Sequence, residues 1–90
     1  MRLKFGILAT AILWHTRHNF TMSTLNERFG INLMELRKKS RISQMELAEK
    51  SKLDLKTISN LENGIRQPVL KTVWKLANGL NASMSKLLDF

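Results

Sequence analysis

An all-α fold is what this sequence predicts, and three observations predict it. Leu, Lys, Glu, Met and Ala dominate, strand-favouring residues are scattered, and Tyr is absent. Downstream of Thr24 the apolar residues recur at the spacing of a helix face. Twice a hydroxyl residue stands three positions ahead of a glutamate at the head of such a stripe, the reciprocal arrangement that starts a helix.

Five helices follow from caps and stripes. Thr24 and Glu27 form the first capping pair. Leu25, Phe29, Leu33 and Leu36 continue from it, so the first helix is predicted over Leu25 to Ser40, with Gly30 inside it at a cost relative to Ala. Ser43 and Glu46 repeat the pair and open a short second helix, Gln44 to about Lys50, whose apolar residues are Met45, Leu47 and Ala48. A linker without Gly, Ser51 to Leu53, leads to Asp54, a good N-cap for a third helix over Leu55 to Asn63. Ile58 and Leu61 point one way from that helix; Lys56, Asn60 and Asn63 point the other, with Ser59 beside them. Gly64 sits where a left-handed residue ends a helix. Beyond Pro68, the stripe Leu70, Val73, Leu76, Ala77 and Leu80 predicts a fourth helix from about Val69 to Leu80, stopped by Asn81. Ser83 caps a last short helix holding Met84, Leu87 and Leu88. There is no internal repeat and no low-complexity segment.

Ninety residues make one domain's worth of chain. The formal net charge of +8 is the strongest global signal: a basic surface gathers polyanions, nucleic acid first and anionic membrane second. With no Cys, disulfides and thiolate metal sites are excluded, and a reducing cytoplasm is the expected location. The chain divides into an N-terminal extension, residues 1–23, and a domain, residues 24–90. The extension begins with Arg2 and Lys4 and runs apolar from Phe5 to Trp14, too short a run to span a bilayer, which needs about 20 apolar residues. Three readings of it stand: a start placed upstream of Met22 as the true first residue, an arm that packs on the domain or on a second subunit, or a secretory signal or anchor. His15 and His18 could share a helix face, but two imidazoles without a third ligand make a poor metal site, and no metal is expected.

A short helix, a tight linker and a second short helix with a polar outer stripe form a helix-turn-helix arrangement. The ordered set Gln44-Met-Glu-Leu47-Ala48, Ile58-Ser59-x-Leu61-Glu62-Asn63-Gly64, Pro68 and Lys75-Leu76-Ala77 resembles the Cro/CI, or XRE, family of phage and bacterial regulators. The resemblance covers Leu25 to Phe90 and implies a five-helix, lambda-repressor-like domain that binds double-stranded DNA. It implies base contacts at Leu55, Lys56, Ser59 and Asn60, and phosphate contacts at Ser43, Gln44, Asn63 and Arg66, with Thr57 as a further candidate. Asn60 suits an adenine edge, which exchanges two hydrogen bonds with an amide, one in each direction, and Lys56 suits guanine acceptors or phosphate. Leu55 suits a thymine methyl or partial core packing. Asn63 also reads as a helix stop and Arg66 as a solvated loop charge. Related proteins join the positions of Arg37 and Glu62 by a structural salt bridge; the plainer alternative is an exposed pair worth about 0–1 kcal/mol. Two departures stand out, Lys52 where Gly is common, which strains the turn if it needs a positive φ, and Val69 where a Ser-like cap is common; Trp74 on the fourth helix is expected half-buried or at a subunit interface.

The expected function is sequence-specific transcription regulation by a homodimer on a palindromic operator, as a repressor or autoregulator. A restriction–modification controller and an antitoxin-type regulator are alternatives within the class, and a protein-interaction module on the same fold is an alternative outside it. No nucleophile stands beside a base and no Gly-rich loop cradles phosphate, so no enzymatic activity, cofactor or small-molecule ligand is expected.

Overall fold

The computed structural model describes residues 24–90; residues 1–23, and with them the readings of the extension, lie outside the described residues. Five helices occupy the described chain: α1 Leu25–Lys39, α2 Gln44–Ser51, α3 Leu55–Glu62, α4 Leu70–Leu80 and α5 Met84–Leu87. Both expected capping boxes are formed. Thr24 Oγ1 accepts from the Glu27 N–H at 3.1 Å while Glu27 accepts from the Thr24 N–H at 2.8 Å. Ser43 and Glu46 do the same at 3.0 Å in each direction. Asp54 and Ser83 cap α3 and α5 with one side-chain bond each.

Helix ends differ from the sequence expectation by single residues, each for a visible reason. Ser40, Asn63 and Leu88 are C-caps rather than helical residues, and Ser51, expected in the linker, is the last residue of α2, its hydroxyl donating to the Leu47 carbonyl at 2.6 Å. Val69 is the N-cap of α4, extended at φ −95° and ψ 162°, and its side chain has no acceptor to offer the first turn. Asn81 ends α4 in the left-handed region, as Gly64 does after α3.

The core draws on every helix: Phe29 and Leu33 from α1, Leu47 and Ala48 from α2, Ile58 and Leu61 from α3, Val73, Leu76, Ala77 and Leu80 from α4, and Leu87 from α5. Burying a side chain of the Leu or Phe class is worth about 1.5–3 kcal/mol, so this cluster is the main stabilising term. Three residues expected in apolar stripes are exposed instead: Leu25 at 70%, Leu70 at 74% and Met45 at 58%. All three sit in the first turn of their helices, where the stripe overhangs the core. Asn32, buried in α1, donates to the carbonyls of Lys86 at 3.1 Å and Leu87 at 2.7 Å, which ties α5 to α1.

Candidate nucleic-acid interface

α2 and α3 form a rigid reading unit. Leu47, Ile58 and Leu61 are fully buried, and Ala48 is nearly so, which lets the two helices pack closely. The linker is secured by the Leu53 N–H donating to the Ala48 carbonyl at 2.9 Å. Lys52 in that linker adopts φ 60°, the left-handed region expected to strain a side-chain-bearing residue there, at a cost on the order of 1 kcal/mol.

The expected bridge between Arg37 and Glu62 is present, and it is buried rather than exposed. Nε donates to Oε2 at 2.6 Å and Nη2 to Oε1 at 3.1 Å, a two-point contact with side chains 10% and 2% accessible. The remaining bonds make it a hub. Arg37 Nη1 donates to the Ile42 carbonyl at 3.0 Å, and Gln44 Nε2 donates to Glu62 Oε1 at 2.8 Å. The Arg37–Glu62 pair therefore sets α1, the α1–α2 turn, the first residue of α2 and the last residue of α3 relative to one another.

Gly30 performs a related task by having no side chain. A Cβ there would lie 2.3 Å from the Leu61 carbonyl oxygen and 2.7 Å from that of Glu62. The cost of glycine in the middle of a helix is explained by this close approach of α1 to the end of α3.

The sequence-predicted residues fall into distinct settings. Leu55 is 43% exposed at the head of α3, which favours the surface reading over core packing. Lys56 is exposed; Ser59 and Asn60 are half-buried on the outer face. The Asn60 side chain makes no hydrogen bond among the described residues, while its backbone carbonyl accepts from the Ile65 N–H at 3.0 Å and the Arg66 N–H at 3.3 Å, folding the following loop onto α3. Asn63 is the helix stop anticipated for an Asn before Gly; its amide also reaches Ser59 Oγ at 3.5 Å. Ser43 Oγ accepts the α2 cap bond, which leaves its O–H to donate, and Gln44 gives one amide N–H to Glu62, which leaves the other N–H as a donor. Thr57 is buried and accepts from Arg66 Nη1 at 3.5 Å, so Arg66 leans back over the start of α3 from an exposed loop. Trp74 is 54% exposed.

Asp54 completes the tip of α3. The bond from Thr57 is the first cause that holds its carboxyl below the ordinary carboxylate value, partial desolvation opposes it, and the positive charge of Arg66 assists. Two features of this site are not written in the local sequence. The close approach at Gly30 has no local signal beyond a glycine in a helix. The hub role of Gln44 depends on a partner 18 positions away.

The chain belongs to the helix-turn-helix family of the XRE type: the family model matches residues 33–87, the segment that holds the reading unit and its supports. Its class is that of DNA-binding transcriptional regulators. Among solved structures, the restriction-modification controller protein C.AhdI from Aeromonas hydrophila is 35% identical, with 69% of this chain and 90% of that chain covered and a TM-score of 0.68. The clp gene regulator ClgR from Corynebacterium glutamicum is 27% identical, covering 74% of this chain and 87% of that one at a TM-score of 0.71. The wild-type restriction-modification controller protein C.Esp1396I is also 27% identical, over 74% of this chain and 88% of that one, at 0.69. A search of curated proteins finds no match. No helix among the described residues is long and apolar enough to cross a membrane.

Proposed function

We propose that the chain regulates transcription, as a repressor or an autoregulator, by binding as a homodimer to a two-fold-symmetric operator, with α3 in the major groove. The groove is about 12 Å wide and admits one helix. The observation that carries this reading is the outer face of α3, where an Asn60 amide unengaged among the described residues stands beside Leu55, Lys56 and Ser59 on a helix fixed from behind by a buried bridge. Those four residues read bases; Ser43, Gln44, Asn63 and Arg66 hold phosphates, and Thr57 acts by supporting Arg66. The protein works by binding alone, with no catalytic step and no cofactor.

A single α3 buries little surface, and two-fold pairing on half-sites one helical turn apart, about 10 base pairs, supplies the missing affinity. The 35% identity to C.AhdI over nine-tenths of that controller favours, within the class, a restriction–modification controller. Sedimentation of the chain with DNA tests the pairing: two protomers per duplex carrying both half-sites are expected, with much weaker binding to a single half-site. Equal affinity per protomer for both duplexes refutes the dimer.

A further inference from the structure

Four described residues adopt the left-handed region: Arg41 at φ 61°, Lys52 at φ 60°, Asn81 at φ 55° and Gly64 at φ 74°. Gly and Asn are the residues that this conformation favours. The other two are basic, and they bracket α2, one at each end. Between them lie Ile42, Ser43 and the eight residues of α2, a helix about 12 Å long.

The two ends of α2 are not equivalent. Arg41 shares its turn with the hub: its N–H donates to the Lys38 carbonyl at 2.9 Å, the Ile42 N–H donates to the Arg37 carbonyl at 3.4 Å, and Arg37 itself holds the Ile42 carbonyl. The guanidinium that bonds Glu62 therefore also holds Ile42, the residue that follows Arg41. Lys38 and Lys39 precede it, so three exposed cations lie within four positions, and none has a side-chain partner among the described residues. Only Ile42 separates this basic turn from Ser43 and Gln44. Lys52 lies at the far end of α2, away from them.

We infer that Arg41 is a phosphate anchor, a positioning residue that extends the DNA interface from Gln44 onto the α1–α2 turn, and that its charge is what a glycine at this left-handed position would forfeit. The inference rests on the proposed placement of α3 in the major groove. It makes Arg41 useful to binding on any sequence, because a phosphate contact positions the protein without reading bases.

The test compares Arg41→Gly with Lys52→Gly in the full chain. Both substitutions remove one charge and relieve the same kind of backbone conformation, so only location distinguishes them. Binding of a random-sequence duplex is titrated across a salt series, with thermal melting on the same samples. Arg41→Gly is expected to melt no lower than the parent, bind several-fold more weakly at low salt, and lose about 0.9 from the log–log salt slope for each protomer bound. Lys52→Gly is expected to melt similarly and keep the parent slope, and Arg41→Lys to retain it as well. An unchanged slope for Arg41→Gly overturns the anchor, as does an equal loss for Lys52→Gly, which marks a general charge effect. If the parent itself shows no salt-dependent binding, the proposed function falls with the inference.

Discussion

Replacing Arg37 by Met removes the hub and leaves its shape roughly filled. Three hydrogen bonds are lost: those to Glu62 Oε2 at 2.6 Å and Oε1 at 3.1 Å, and that to the Ile42 carbonyl at 3.0 Å. Glu62 keeps only the bond from Gln44 at 2.8 Å, and its side chain is 2% accessible, so water cannot take over from the guanidinium. Breaking a buried pair by removing one partner costs about 3–5 kcal/mol, because the other charge is left uncompensated. For a domain of this size 1 kcal/mol shifts the midpoint by roughly 4–8 °C, so the lower bound alone predicts a fall of roughly 12–24 °C. The double variant Arg37→Met with Glu62→Leu should recover much of that stability, because an apolar pair can replace a buried ion pair at little cost. Helical circular dichroism on heating reads the stability, and DNA titration well below each midpoint reads the geometry. Arg37→Met should bind more weakly than the loss of one charge explains, since the angle between α1 and α3 is no longer held. A single variant that melts and binds like the parent refutes the reasoning.

Further outcomes follow from the same geometry. Gly30→Ala gains helix propensity of about 1 kcal/mol yet should destabilise, because its Cβ would meet backbone oxygen at 2.3 Å and overpacking costs about 1–3 kcal/mol; an elevated melting temperature contradicts the close approach. Arg66→Ala should weaken specific and random DNA binding alike and lower the salt slope by about 0.9 per protomer; an unchanged slope places Arg66 in solvent. The depressed carboxyl of Asp54 contributes stability that is present above its unfolded value and lost as pH falls through its lower folded value. The melting difference between the parent and Asp54→Ala should accordingly be full near neutrality and shrink progressively as the pH falls below about 4. A difference that persists undiminished at low pH means that the ionised cap is not its source.

Much of the fold was legible because its signals are local. A capping box spans four residues, and Thr24 with Glu27 and Ser43 with Glu46 formed where their spacing placed them. The exposure of Leu25, Met45 and Leu70 was not legible: periodicity shows which face a residue shares but not where the neighbouring helix ends. The site divides along the same line. The outer face of α3 was readable from the helical period, whereas the burial of the Arg37–Glu62 pair joins residues 25 positions apart and needed three helices in place. Thr57 shows the limit within a single helix. Its type and position suit a phosphate contact, but it is turned inward, and the loop that carries Arg66 closes over it.

The central claim is that α3 reads sequence through its outer face, and selection of bound sites from a random duplex pool tests it most directly when run in parallel on the parent and on Asn60→Ala. The parent should enrich a two-fold-symmetric motif. Asn60→Ala should relax the preference at one position in each half-site and lose about 1–3 kcal/mol on the parent's motif, the range for a bidentate base contact, with little change on random DNA. A parent that enriches no motif, or a variant whose losses are equal on selected and random DNA, would contradict the account.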